Sequence, residues 1–313
     1  MADSGKITIR AAAKINLGLD VTGVLENGYH AIRSVFQNVS IYDEVEITDA
    51  YGKPITVSCE TADPLAVTED IPGGESNIAY KAASNFYSTA GASYGFYGHC
   101  DIHIKKSIPS QAGMGGGSAD AAAVIYGLRK MYSDQKFFGG TVSTDIPLEE
   151  LNEAIVKTGA DVPFFFTGGT AYVEGIGEKV VPIDDWSGRD LVIAKGREGV
   201  STAEAYAKID SLKSPHHPDI DGLLKALHDC PDEAYRYFGN LFEDAVELKE
   251  VRDIKSLMEK AGALNACMTG SGSAVFGVFT SQAEAEKCAE KLRESGFYAR
   301  PCKTVKEPFI VIK

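Results

Sequence analysis

The sequence predicts a two-domain α+β protein. Three observations carry that prediction. The chain has 313 residues, about two domains at roughly 100–200 residues each. Alternating strand-like runs are interleaved with amphipathic helical runs along its whole length. The last third reads helix–strand–turn–strand–helix–strand, a ferredoxin-like arrangement.

The elements follow in chain order. Lys6 to Arg10 alternates apolar and polar residues, the period of a half-buried strand, and Val35 to Ile41 and Glu44 to Thr48 repeat it. Asn27-Gly28 marks a turn between these extended regions. Thr61 to Gly74 is polar, with two prolines and two glycines, and reads as a loop. Ser76 to Ala90 predicts a helix capped by Ser76 or Asn77. His99 to Ile104 predicts a strand, a glycine-rich loop follows, and Ala121, Val124, Ile125 and Leu128 lie at helical spacing. Gln135 to Asp145 reads as an irregular surface insertion, and Leu148 to Lys157 as a helix closed by Gly159. In the last third, Ile254 to Ala261 predicts a helix, Leu264 to Met268 and Ala274 to Phe279 strands, and Ala285 to Leu292 a helix. Phe297 to Val305 and Phe309 to Ile312 read as extended.

Composition excludes several classes of partner. The formal net charge is −13, so non-specific nucleic-acid binding and anionic membrane surfaces are disfavoured, since both need clustered Lys and Arg. No run of 18 or more apolar residues predicts a transmembrane helix, and the N-terminal stretch has no signal-peptide pattern. A cytoplasmic protein is expected. The six cysteines form no CxxC or zinc-finger spacing and read as reduced thiols.

Four local patterns point to chemistry. Gly113 to Ser118 has four glycines in six residues, between a strand and a helix. Such a loop cradles an oxyanion on backbone N–H groups at a helix N-terminus. No Lys-Ser or Lys-Thr follows the glycines, so it is no Walker A loop, and GxGxxG fits only loosely. Ser76 to Ser133 carries five basic and two acidic residues, a net +3 in an acidic chain, which suits an anion site or a solvated face. In Ala12-Ala13-Lys14-Ile15-Asn16, the Lys and Asn project to one side of a strand. Asp161, ahead of Val162-Pro163-Phe164-Phe165-Phe166, is a carboxylate at the edge of a core, or a helix cap. Asn27-Gly28-Tyr29-His30 places two ring side chains after a turn.

Together these patterns resemble the GHMP family of small-molecule kinases. The family's Pro-x-x-x-Gly-x-Gly-small-Ser-small pattern is matched by Pro109 through Ala119, and Thr269-Gly270-Ser271-Gly272 resembles its C-terminal motif. Ala13 to Leu17, Asn27 to His30, Gly115 to Ala121 and Gly159 to Pro163 narrow the resemblance to the branch acting on 4-diphosphocytidyl-2-C-methyl-D-erythritol, in the non-mevalonate route to isoprenoid precursors. Ala119 stands where a second serine is common, and Asn27 where aspartate is. Tyr29-His30 and Gly159 to Pro163 argue against a mevalonate, homoserine or sugar kinase. The presence of both Lys14 and Asp161 argues against a non-catalytic nucleotide-binding module.

The resemblance implies the rest. The N-terminal domain, about 1–184, has a ribosomal-protein-S5-domain-2-like fold, and a ferredoxin-like domain spans about 185–313. ATP lies over Gly113, Met114, Gly115, Gly116, Gly117 and Ser118, within the stretch Pro109 to Ala119, and Asn77, Lys105 and Lys106 contact the nucleotide. Mg²⁺ accompanies ATP near the Ser118 hydroxyl. Asp161 is the base for the 2-hydroxyl of the acceptor, and Lys14 holds it ionised. Tyr29, His30 and Tyr206 recognise cytosine, Asn16 holds the erythritol or its diphosphate, and the Thr202 hydroxyl helps bind the substrate. The chain is expected to act as a monomer or homodimer.

Overall fold

The computed structural model describes residues 5–133 and 146–312, apart from 51, 68 and 97. The expected insertion at 135–145 lies outside the described residues. In chain order the first half contains β1 (Lys6–Val24), β2 (His30–Asp49), β3 (Thr56–Thr61), α1 (Ile78–Phe86), β4 (Cys100–Lys106), α2 (Gly116–Ser133), α3 (Asn152–Thr158), α4 (Val162–Thr167), β5 (Thr170–Gly175) and β6 (Lys179–Pro182). The second half contains β7 (Asp190–Lys195), α5 (Thr202–Ser211), α6 (Ile220–Asp229), β8 (Gly239–Asn240), α7 (Lys249–Lys260), β9 (Asn265–Met268), β10 (Val275–Phe279), α8 (Gln282–Glu294), β11 (Tyr298–Lys303) and β12 (Phe309–Val311).

The first sheet is built on the β1–β2 hairpin. Its turn uses Gly28 at φ +83°, and the Asn27 side chain accepts from the Tyr29 N–H, as the Asn-Gly pair predicts. The two extended runs expected at 35–41 and 44–48 are one 20-residue strand, β2. Its first part pairs with β5 and its second with β4. β1 and β2 slip register between Ala12 and Ala13, between Asn16 and Gly18, and between Val21 and Gly23. Such irregularities bend a strand and re-aim its side chains, and Lys14 and Asn16 lie between the first two. The sheet runs β12-β1-β2-β4-β3, with β5, β6 and β8 attached to the side.

The second sheet runs β11-β7-β10-β9, every pair antiparallel. With α7 before β9 and α8 after β10, this is the ferredoxin-like arrangement the last third predicts. Its first strand, β7, escaped the periodicity reading because both its faces are buried. Leu191 and Ile193 belong to the core of the first sheet and its helices, while Val192 and Ala194 pack with Ile254, Cys288 and Leu292 of α7 and α8. A strand covered on both sides shows no alternation. The extended segment at 309–312 also has an address the sequence did not supply. β12 leaves the second sheet and pairs with β1, Ile9 opposite Val311.

No helix among the described residues is long and apolar enough to cross a membrane.

Candidate active site

A cleft of about 1060 Å³ opens between the glycine loop, the middle of the β1–β2 hairpin, α4 and α5. Lys14 and Asn16 reach it from β1. Projecting to one side as expected, they meet: Lys14 Nζ donates to Asn16 Oδ1 at 2.8 Å. The same Oδ1 accepts from the Gly270 N–H at 2.9 Å and the Thr269 hydroxyl at 3.1 Å, and Asn16 Nδ2 donates to Ser34 Oγ. Asn16 thus ties the first sheet to the Thr269–Gly272 motif of the second domain. Lys14 is buried, lies over the Phe36 ring at 4.7 Å, and sits 3.9 Å from Asp161 Oδ2. Burial pulls the Lys14 pKa below its ordinary value, against the opposing attraction of Asp161. Asp161 occupies the N-cap position of α4 but makes no capping bond. Its carboxylate makes no hydrogen bond among the described residues, so it is uncommitted apart from Lys14.

The glycine loop is held between Lys14 and the second domain. The Lys14 N–H donates to the Met114 carbonyl at 3.0 Å. Gly113 has φ +71°, and a Cβ there would lie 2.1 Å from the Thr269 carbonyl oxygen, so both conformation and space demand glycine. α2 begins at Gly116, inside the loop rather than after it. Gly116, Gly117 and Ser118 therefore form its first turn, whose N–H groups have no partner within the helix. That is the geometry of an anion cradle at a helix N-terminus.

Beside the loop lies a buried ion cluster of Lys106, Asp120 and Asp43, of which the sequence pointed to Lys106 and to Asp120 at the loop exit but not to Asp43. Lys106 Nζ donates to Asp43 on β2 and to Asp120 Oδ2 on α2, the latter at 2.5 Å. Asp43 Oδ1 also accepts from the N–H groups of Ser107 and Ile108, fixing the approach to the loop. Burial pulls the Lys106 pKa down, but Asp120 and Asp43 together push it above the ordinary lysine range. Burial holds the Asp120 pKa well above the usual carboxylate range, with the Asp43 charge adding to this and Lys106 opposing it. Asp120 Oδ1 is buried without a hydrogen-bond partner, and Asp120 lines the cleft.

At the opposite end, Tyr29 is 61% exposed while His30 is largely covered. The His30 ring stacks on Tyr206, with centroids 4.4 Å apart and planes at 23°. One face of the Tyr206 ring is thus covered by His30. Burial, with Asp161 adding, pushes the Tyr206 pKa up to about 12. Thr202, at the start of α5, contacts Ser271 Oγ at 3.1 Å.

The cleft therefore gathers Lys14, Asn16, Tyr29, His30, Asp161, Thr202 and Tyr206. Asn77, Pro109 and the loop from Gly113 to Gly117 line it as well. Asn77 also caps α1, accepting from the Ala79 N–H at 2.8 Å. Three expected contacts are not among the lining residues. Lys105 is exposed and pairs across the sheet with Glu44, Ala119 is fully buried within α2, and Ser118 is partly exposed. Of the positive window, Lys106 alone lines the cleft. Lys106 is neutralised by two carboxylates, and Lys81 Nζ is bonded to the Thr158 carbonyl.

This fold, with a glycine cradle beside a lysine–aspartate pair in one cleft, matches a known class. Residues 77–169 match the GHMP kinases N terminal domain, and residues 216–297 match the GHMP kinases C terminal domain. The chain belongs to the GHMP kinase family. It is 37% identical over 287 residues to the 4-diphosphocytidyl-2-C-methyl-D-erythritol kinase of Clostridium novyi (strain NT), covering 90% of this chain and 94% of that protein. It is 38% identical over 291 residues to the protein of the same name from Clostridium botulinum (strain Eklund 17B / Type B), covering 92% and 96%. Among solved structures it resembles a 4-(cytidine 5'-diphospho)-2C-methyl-D-erythritol kinase, with a TM-score of 0.69 and 28% identity over 95% of this chain and 98% of that one. A homoserine kinase from Cytophaga hutchinsonii has the same fold, with a TM-score of 0.74 and 19% identity over 100% and 99% of the two chains.

Proposed function

We propose that this protein transfers the γ-phosphoryl group of ATP to the 2-hydroxyl of 4-diphosphocytidyl-2-C-methyl-D-erythritol, as a cytoplasmic enzyme of the non-mevalonate isoprenoid route, acting as a monomer or homodimer. The observation that carries the reading is an uncommitted carboxylate, Asp161, 3.9 Å from the buried Lys14 ammonium in the cleft that the glycine loop lines. The loop belongs to an N-terminal domain of about 1–184, and α5 to a second domain of about 185–313.

The phosphates of ATP rest on the backbone N–H groups of Gly115 to Ser118, where the helix dipole favours negative charge. Asp161 accepts the proton of the 2-hydroxyl as its oxygen attacks the γ-phosphorus. The new O–P bond forms, the bond to the β–γ bridging oxygen breaks, and ADP leaves. Lys14, 3.9 Å away, attracts the Asp161 carboxylate and offsets charge on the transferring oxygens. Tyr29 supplies a stacking face for cytosine, and His30 reads its edge.

ATP chemistry implies Mg²⁺. Among the described residues no cluster of three or more metal-ligating side chains exists. Mg²⁺ bound with a nucleotide takes most of its shell from phosphate oxygens and water, with one or two carboxylates. The buried, unpartnered Asp120 Oδ1, which lines the cleft, fits that sparse requirement. When bound, the ion would supply positive charge to the phosphate oxygens.

The test is turnover with ATP and the cytidyl substrate, the product identified by mass. Phosphate transfer to mevalonate but not to the cytidyl compound would overturn the proposal. Asp161→Asn should lower kcat by roughly 10²-fold or more with ATP binding retained. Full activity in that variant would remove Asp161 from its role.

A further inference from the structure

The end of the cleft that faces the base contains a carboxylate without a role so far. Asp210 lies on the last turn of α5, four residues beyond Tyr206 and eight beyond Thr202. That spacing puts all three on one helix face, and all three line the cleft. Asp210 Oδ1 lies 2.8 Å from His30 Nε2. One helix of the second domain therefore fixes a histidine of the first sheet twice. Tyr206 sets the plane of the ring, and Asp210 holds one edge of it.

The chemistry of that edge is constrained. A carboxylate only accepts hydrogen bonds, so the proton between the two groups sits on Nε2. In the neutral ring, Nδ1 then presents a bare lone pair. Nδ1 has no hydrogen-bond partner among the described residues, although the His30 side chain is only 14% exposed. An acceptor with no protein partner at the edge of a cleft is open to a ligand that brings a donor to it.

We propose that Asp210 is a positioning residue that makes His30 a hydrogen-bond acceptor, so that the site selects a pyrimidine with an amino group at position 4 over one with a carbonyl there. This rests on the reading of His30 as the base-recognising residue. An exocyclic amine donates to Nδ1, whereas a carbonyl sets lone pair against lone pair. Without Asp210 the imidazole is free to carry its proton on Nδ1 and donate to a 4-carbonyl, so discrimination relaxes.

The experiment has two arms. In the free protein at about pH 8, above the ordinary histidine range, ¹⁵N spectra of the imidazoles report the tautomer, with the His30 signals identified by their absence in His30→Gln. The wild type should show Nδ1 unprotonated and Nε2 protonated, and Asp210→Ala should show mixed tautomers. In turnover, kcat/KM is compared for the cytidyl substrate and its uridyl counterpart. The cytidyl preference should fall at least about tenfold in Asp210→Ala. It should be largely kept in Asp210→Asn, whose amide oxygen still accepts from Nε2–H and which also controls for folding. A protonated Nδ1 in the wild type, or an unchanged cytidyl preference in folded Asp210→Ala, overturns the proposal. Turnover of neither compound by the wild type overturns the proposed reaction itself and the base selection with it. Normal turnover with an unchanged preference refutes Asp210 alone.

Discussion

Two buried lysines flank the same glycine loop, and their surroundings differ. Lys106 is enclosed by two carboxylates, Asp43 and Asp120, and its pKa is driven up. Lys14 has one carboxylate at 3.9 Å and a neutral amide oxygen, and burial drives its pKa down. The first arrangement spends its charge inside the protein and ties β2, β4 and α2 together. The second leaves charge and carboxylate available to a third party in the cleft. In this site the free positive field comes from Lys14 and the loop's N–H groups, not from the local excess of basic residues.

The contrast can be broken by exchanging each lysine for a side chain of similar length. Lys106→Met leaves two facing buried carboxylates without their cation, and it should cost about 3–5 kcal/mol of stability. Denaturant unfolding measures this. Lys14→Met removes a desolvated ammonium whose partner amide keeps two other donors, so stability should hold or rise. It should instead lower kcat by roughly 10²–10³-fold, the usual loss for one group that stabilises transition-state charge. If the two variants exchanged their phenotypes, the comparison would be wrong. A smaller effect separates the base end from the phosphate end. Tyr29→Ala should weaken cytidyl-substrate binding by about 1–3 kcal/mol, the worth of one stacked base, and leave ATP binding alone. Equal losses for both ligands, read by calorimetry, would show that Tyr29 acts on the fold instead.

The smallest effect is in the pH dependence of stability, where the two lysines have opposite signs. The Lys106 pKa is raised on folding, so its contribution is full below the ordinary lysine pKa of roughly 10.4. It is lost as pH rises through the higher folded value. The Lys14 pKa is lowered on folding, so the unfolded chain binds a proton that the folded one does not. Stability therefore rises with pH between the lowered value and roughly 10.4. Thermal scans of wild type and Lys14→Met across that range should show the rising component vanish in the variant.

The sequence disclosed what is local. The Asn27-Gly28 turn, the Asn77 cap and the strand–glycine–helix order are each written within a few residues. Lys14 and Asn16 were legible because a two-residue spacing on a strand fixes a shared side. What escaped depends on distant partners or on the absence of a pattern. Asp43 meets Lys106 across 63 positions, and Asp210 meets His30 across 180. β7 is buried on both faces and has no alternation to detect. β3 is a short strand at the edge of its sheet, with mixed polarity. Lys105 and Lys106 are adjacent and chemically alike, and only the pleat of β4 decides that one faces solvent and the other the cleft.

The pairing of β12 with β1 has a consequence for how the chain is made. Ile9 emerges from the ribosome early, yet its partner Val311 is synthesised after the whole of the second sheet. Until then the outer edge of β1 from Ile9 to Ala11 is an open row of N–H and C=O groups, a template for pairing with other chains. Synthesis proceeds at roughly 5–20 residues per second, so that edge is exposed for on the order of tens of seconds in every nascent copy.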